Sequence, residues 1–315
     1  MGTEFTVYLD ASDEMQAHAC FQQAFDEIDR IDHTCSRFRL DSEVSRLNHY
    51  ASHGPVVTDP EVLEILATAL DVSAKTNGAF DITVGKLTRA WGFDARQPSI
   101  PAEDTLAEAI RCTGWTHVEL DKEWRTVRFL RPGIEIDLGA IAKGYAVDRA
   151  IEVLRAAGVS ALINAGASSI AATDEVMARE WTVAIDSPAE SHQTLCEVQL
   201  GIRALSTSGM KEQHFTHDGH IYSHVIEPPA HYRGDNAGED GPEKQMLQAT
   251  VLAPTSILAD ALSTAMFLLG VRRGSEVLSQ FDGCCALWIY ADTNRISWQS
   301  HKWPESISHR ESKGI

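Results

Sequence analysis

The chain has 315 residues, 43% of them hydrophobic and 23% charged, proportions of a folded globular protein with one large or two small domains rather than a disordered chain. Twenty-seven Lys and Arg against forty-five Asp and Glu leave a formal charge of −18, which repels nucleic acid and acidic membrane surfaces over most of the protein and excludes them as expected partners. A few local N–H groups and a metal can still reverse that field for one small phosphorylated ligand.

No apolar stretch reaches the roughly 18 to 20 residues that a membrane span requires. The first residues show no basic region followed by an apolar one, so the sequence as given reads as cytoplasmic. Six cysteines occur without a C-x-x-C pair and are expected to be reduced and structural.

In chain order, EFTVYL at 4–9 predicts a strand. Apolar residues at Met15, Ala19, Phe21, Ala24, Phe25, Ile28 and Ile31 then predict a long helix. Asp59-Pro60 supplies an N-cap and a proline at the first helical position, opening a helix that stops at Asn77-Gly78. From Val118, the runs VEL, TVRFL and IEIDL predict a three-stranded antiparallel meander. Its last strand meets Gly139, and a stripe from Ile141 to Leu154 predicts a helix ending near Gly158.

Strands are expected at 161–165, 181–185 and 195–205, followed by a hairpin turning at Asp218-Gly219. Residues 229–246 are polar and rich in Gly and Pro, the composition of an exposed loop. The strand QATVLA follows, then a helix from about Thr255 to Leu269, a second helix, the strand CALWIY, a turn at Asp292-Thr293-Asn294, and a tail after Trp303. Strict βαβ alternation is missing. The pattern therefore predicts an α+β fold with mixed and antiparallel sheets and flanking helices, one domain in two lobes.

Several segments carry candidate chemistry. DLGAIAKGY at 137–145 places a lysine in the first turn of a helix, where free N–H groups attract phosphate; an ordinary βα connection with a solvated lysine has the same pattern. Asp260 and Thr264 stand four apart on one helix face, a carboxylate and a hydroxyl suited to magnesium shared with substrate phosphates. The alternative there is a threonine bonded back to the carbonyl of Asp260.

Four histidines, His214, His217, His220 and His224, are spread over both arms of the hairpin and do not converge as a zinc site requires. His224, at the end of its strand, is placed to act as a general base. Gly78-Ala79-Phe80-Asp81, with Trp91-Gly92-Phe93 beyond it, could line a flat ring, and Phe38 is a similar case.

Taken in order, Met1-Gly2-Thr3 with Phe5, SRFRLDSEVSRLN, GAFDITVGKL with WGF, DLGAIAKGYAVD, STSG, YSHVI and ADALSTA resemble the ApbE-type flavin transferases over about residues 1 to 300. The resemblance implies a T-fold-like domain over 1–302 with a flexible tail at 303–315. It also implies a magnesium-dependent enzyme that cleaves the FAD pyrophosphate, attaches FMN to a Thr or Ser of an acceptor flavoprotein and releases AMP. Asp260 and Thr264 are then expected to hold the metal, with an oxygen of Ala140 and, at a position where some relatives carry a carboxylate, Ser263. Met1, Phe38, Ala79, Phe80, Asp81, Asp137, Lys143 and Ile226 are expected to contact FAD, and His224 to deprotonate the incoming hydroxyl.

The chain departs from the family pattern at Glu227-Pro228-Pro229-Ala230, where relatives read D-P followed by T-G. It departs again at Gly166-Ala167-Ser168-Ser169, where a Cβ replaces a glycine. Hydrolysis of FAD to FMN and AMP, or flavin binding without catalysis, are the alternatives that these residues leave open.

Overall fold

The structure is a computed structural model that describes residues 2–95, 97–173, 181–188, 194–210, 214–217, 220–223, 225–226, 244–292 and 295–304. The chain divides into two compact units. One comprises Met1–Asp32, Ile141–Gly209 and Asp240–Ile315, the other His33–Ala140 and Met210–Glu239.

The first unit is built on an antiparallel sheet. Its strands are β1 (Phe5–Asp10), β5 (Ser160–Ala165), β6 (Ser169–Ala172), β9 (Ala204–Gly209), β12 (Lys244–Ala253), β13 (Cys285–Asp292) and β14 (Arg295–His301), hydrogen-bonded in that order. Helices α6 (Ala142–Ala156) and α7 (Ser256–Leu278) pack on it, as does the two-stranded sheet of β7 (Thr182–Asp186) and β8 (Thr194–Gln199).

Alternation along each strand separates the two layers. Leu162, Ile170, Leu205, Leu252, Leu287 and Ile289 share an apolar cluster with Ile185, Cys196 and Val198 of β7 and β8, while Trp288, one residue out of phase, donates its ring N–H to the Met266 carbonyl of α7 at 3.0 Å. The long helix α1 (Glu14–Cys35) follows β1, as the spacing of its apolar residues predicts. Gly270, at φ 68° and ψ −172°, breaks α7, dividing it into the two helices expected there. The strand expected at 195–205 is two strands, β8 and β9, because the chain turns between them at Gly201 with φ 56°.

In the second unit, α2 (Glu43–Tyr50) is capped by Ser42, whose hydroxyl accepts from Ser45 N at 2.9 Å. Helix α3 (Pro60–Lys75) is capped by Asp59 accepting from Glu61 N, and the chain leaves it through the positive φ of Asn77 and Gly78. Helices α4 (Gly85–Ala90) and α5 (Glu103–Arg111) follow.

The small sheet here has the order β2 (Val56–Val57), β4 (Thr126–Phe129), β3 (Val118–Asp121), so the expected meander is corrected. Residues 134–138 do not pair with β4, because their backbone groups are taken by other partners. The Asn48 amide accepts from Ile136 N at 2.8 Å and donates to Ile136 O at 3.0 Å, Gly85 N donates to Glu135 O, and Asp137 N donates to Ile82 O.

The hairpin strands β10 (His214–His217) and β11 (His220–Ser223) pair with Phe215 opposite Tyr222, and those two rings stack at 5.1 Å. The predicted turns at Asp218-Gly219 and Thr293-Asn294, the tail beyond 304 and all of the polar 229–246 segment except its last three residues, which begin β12, lie outside the described residues.

All six cysteines are free and buried. Burial pushes the Cys196 thiol up to about 11 and, with the neighbouring Cys285 and Asp282 adding to it, that of Cys284 up to about 12, which suits inert structural thiols. Among the described residues no helix is long and apolar enough to cross a membrane.

Candidate functional site

Strand period and helix period together assemble the carboxylate site of the first unit. On β9, alternation turns Ser206 and Ser208 to the face that α7 covers. On α7, Asp260, Ser263 and Thr264 stand at i, i+3 and i+4, one stripe facing that strand. Asp260 is 3% exposed, and Ser206 and Ser263 are fully buried.

The Asp260 Oδ1 atom accepts from Lys143 Nζ at 2.9 Å, Ser169 Oγ at 3.1 Å and Ser206 Oγ at 3.3 Å, and Oδ2 accepts from Gly144 N at 3.0 Å. Ser208 Oγ bonds to Ser263 Oγ at 2.8 Å and to Thr264 Oγ1 at 3.2 Å. The back-bond weighed for Thr264 belongs instead to Ser263, whose hydroxyl donates to the Asp260 carbonyl at 2.9 Å. Thr264 is left with its oxygen toward Ser208.

Helix α6 begins without a side-chain cap of its own. The Gly144 N–H in its first turn, expected to attract phosphate, is given to Asp260, whose negative charge suits the positive end of the helix. Close approach of the two helices requires a glycine there: a Cβ on Gly144 would lie 2.2 Å from Ser256 O and 2.8 Å from Asp260 Cβ. Helix α6 returns the support, since Asp148 accepts from Ser256 N at 2.7 Å and Ile257 N at 2.8 Å. Thr255, the N-cap residue of α7, makes no side-chain cap bond itself.

The second unit holds Phe38, Ala79, Phe80, Asp81, Asp137, Ala140 and Ile226. Phe38 is 67% exposed and rests on Arg37, whose guanidinium carbon lies 4.4 Å from the ring centroid. Arg37 is buried and bonds to Asp94 through both terminal nitrogens, to Glu135 and, through Nε, to Asp137 at 2.8 Å. Burial alone would lower its pKa, but the bond to Asp94 and the charges of Asp137 and Asp94 outweigh that and raise it. The other oxygen of Asp137 accepts from Gly139 N at 2.8 Å, folding the turn that ends at Ala140.

Ala79, Phe80 and Asp81 are buried. Asp81 accepts from Thr83 N, Thr83 Oγ1 and Trp115 N. Burial raises its pKa, and those bonds offset the rise only in part. Its carboxylate is therefore committed to shaping the loop. Ile226 is half-buried, and Met1 and His224 lie outside the described residues.

Sequence reasoning passed over four residues of these clusters: Arg37, Ser169, Ser206 and Ser208. The STSG segment was legible as a motif, yet only strand pairing shows Ser169 opposite Ser206, their hydroxyls 3.2 Å apart. At the departure from the family pattern, Ala167 occupies the left-handed region at φ 55°, the conformation a glycine there would adopt without strain.

The donors around α7 fit a hard divalent cation. Among the described residues they are a carboxylate and hydroxyls, with no sulfur or imidazole, and the Lys143 ammonium already places a positive charge against Oδ1. One carboxylate is a small protein share for magnesium, as expected when substrate phosphates and water complete its shell.

Comparisons with known proteins bear on the chain as a whole. A protein of Treponema pallidum (strain Nichols) named FAD:protein FMN transferase is 31% identical over 297 residues, covering 88% of this chain and 78% of that protein. One of Haemophilus influenzae with the same name is 28% identical, covering 99% and 90%. The solved flavin transferase ApbE of Vibrio cholerae superposes with a TM-score of 0.81 at 25% identity, over 96% of this chain and 94% of that one. With the ApbE family model matching residues 1–288, the ordered motifs, the α+β architecture and the relatives point the same way, and the chain belongs to the ApbE family.

Proposed function

We propose that this chain is a magnesium-dependent FAD:protein FMN transferase, which cleaves the FAD pyrophosphate and forms a phosphoester between FMN and a Thr or Ser hydroxyl of an acceptor flavoprotein, releasing AMP. The observation that carries the reading is the buried Asp260 carboxylate, held one helical turn from Thr264 among hydroxyl donors and a lysine. Asp260 and Thr264 are assigned to the metal, with Ser263 and the Ala140 carbonyl as further oxygen donors. Bound magnesium would withdraw charge from the pyrophosphate oxygens and ease departure of AMP.

The chain's own residues do the rest. Asp260 anchors the cation, and Lys143 offers a mobile positive charge to a phosphate oxygen. Phe38 presents an exposed ring face to one of the rings of FAD. Asp137 shapes the turn that leads to Ala140. Ala79, Phe80, Asp81 and Ile226, with Met1, are assigned to the remaining FAD contacts. His224 is assigned as the base that takes the proton of the acceptor hydroxyl.

The test is AMP release from FAD with magnesium, with and without a threonine-bearing acceptor domain that is watched for bound flavin. Release that depends on the acceptor, with flavin attached, is expected. Release without acceptor identifies a pyrophosphatase, and binding without AMP a non-catalytic flavin protein. Full activity in Asp260→Asn would overturn the metal assignment.

A further inference from the structure

We propose that Lys143 is a tethered counter-cation that reserves Asp260 for a metal arriving together with the FAD pyrophosphate, so that free divalent cation binds weakly and metal and FAD bind as partners. The inference rests on the metal assignment made above and adds an order of binding to it.

The geometry carries it. Asp260 is almost fully buried, and a carboxylate in that position must be compensated. Four protein donors already do so: the Lys143 ammonium at 2.9 Å, the hydroxyls of Ser169 and Ser206, and the Gly144 N–H at the start of α6. Three of them converge on Oδ1, which offers about two lone-pair directions, so the oxygen that Lys143 holds is already fully engaged, while Oδ2 accepts from Gly144 N. The ion pair is electrically neutral. A divalent cation added to it alone leaves a doubly positive cluster out of water, and Coulomb repulsion from an ammonium only a hydrogen bond away from Oδ1 opposes its entry.

The same cation accompanied by a pyrophosphate bearing two negative charges restores neutrality. The lysine then has somewhere to go. Its side chain is 20% exposed against 4% for Asp260, and it is a compact charge on a flexible stem with three donors. It can pass from the carboxylate to a phosphate oxygen while the metal takes its place. Ser169 and Ser206, whose hydroxyls rotate, stay to orient the carboxylate.

This arrangement predicts changes of opposite sign from one substitution. Mn2+ titrated calorimetrically into the full chain without FAD should bind about tenfold more tightly to Lys143→Met than to the unsubstituted protein, because a repelling charge is gone. FAD titrated with magnesium present should bind about tenfold more weakly to the same variant, because a phosphate partner is gone. Lys143→Arg, which keeps the charge, should leave free Mn2+ binding near its original strength.

Thermal unfolding shows whether Lys143→Met is folded. If it is not, Lys143→Gln, which keeps a donor without the charge, is the variant read. Free-metal affinity that is unchanged or weaker in a folded neutral variant overturns the proposal. If Asp260→Asn binds FAD and magnesium as the unsubstituted chain does, the metal assignment itself has failed, a result that does not depend on Lys143.

Discussion

Arg37 donates from Nε to Asp137 Oδ2 at 2.8 Å while its guanidinium plane supports the ring of Phe38. One buried side chain thus fixes both the most exposed aromatic ring assigned to FAD and the turn through Gly139. Only the fork of a guanidinium reaches Asp94, Glu135 and Asp137 at once while offering a flat face to an aromatic ring. Arg89 shares Glu135 at 2.6 Å and lies 3.8 Å from Asp94, but it is more than half exposed.

Arg37→Lys should therefore keep the positive charge and lose the geometry. The expected result is a folded protein whose FAD affinity falls about tenfold, roughly 1.4 kcal/mol. Arg37→Met leaves carboxylates buried without their main partner and should cost about 3–5 kcal/mol of stability, read by urea denaturation. Phe38→Leu separates the two effects: its exposed side chain should leave stability within about 0.5 kcal/mol while flavin fluorescence quenching on binding declines. Unchanged quenching would remove Phe38 from the flavin contacts.

Asp148 makes stability depend on pH. Burial, reinforced by the charges of Glu152 and Asp260, raises its pKa from 3.8 to about 6 against the lowering effect of the two N–H bonds from α7. The folded chain then holds this proton more tightly than the unfolded one. Its contribution is fully present below about pH 4 and is lost as pH rises through about 6, a change on the order of 3 kcal/mol. Asp148→Asn cannot ionise and leaves one N–H of α7 without an acceptor, at a cost of about 1 kcal/mol. Urea unfolding of the two proteins should show the variant less stable near pH 4.5 and the gap narrowing or reversing by pH 7.5. A constant gap across that range would mean that Asp148 does not titrate there.

The helices and strands that carry local signals were legible in the sequence. Asp59-Pro60 marks the start of α3, Asn77-Gly78 its end, and the spacing of Asp260 and Thr264 already places both on one face of α7. The misread elements have non-local causes. Ile134, Ile136 and Leu138 alternate like a strand, yet Asn48, eighty-eight positions earlier, takes both backbone groups of Ile136, and no spacing rule foresees a side chain replacing a neighbouring strand. The carboxylate cluster was half legible for the same reason. Asp260 and Lys143 each stood out locally, but their 2.9 Å pairing spans 117 positions, and the parts of Ser169 and Ser206 depend on strand pairing.

Gly144 is expected to be intolerant of even one methyl group. Its missing Cβ is the space that the Ser256 carbonyl and the Asp260 side chain occupy, so Gly144→Ala must push the first turn of α7 away from α6. The gain in helix propensity, about 1 kcal/mol, is smaller than the 1–3 kcal/mol typical of overpacking. Net destabilisation should be measurable by thermal unfolding, together with weakened magnesium-dependent FAD binding as Asp260 moves. Stabilisation with undiminished binding would show that the helices part without disturbing the carboxylate.

Ala167 offers the opposite test, a site where removing a methyl group should help. At φ 55° its left-handed backbone costs about 1–2 kcal/mol for a residue with a Cβ, and the conformation is held by its N–H donating to Asn164 Oδ1 at 2.9 Å. Ala167→Gly keeps that bond and removes the strain. The greater freedom of glycine in the unfolded chain takes back about 0.4–1 kcal/mol. The strain term is the larger, so the urea midpoint should rise by an amount corresponding to about 0.5–1 kcal/mol, with an unchanged denaturant slope. Because the methyl group is exposed beside β6, FAD affinity should hold or rise. A lower midpoint would show that Asn164 and the flanking turn hold Ala167 without strain, and weaker FAD binding would show that its methyl group contributes to the contact surface instead of crowding it.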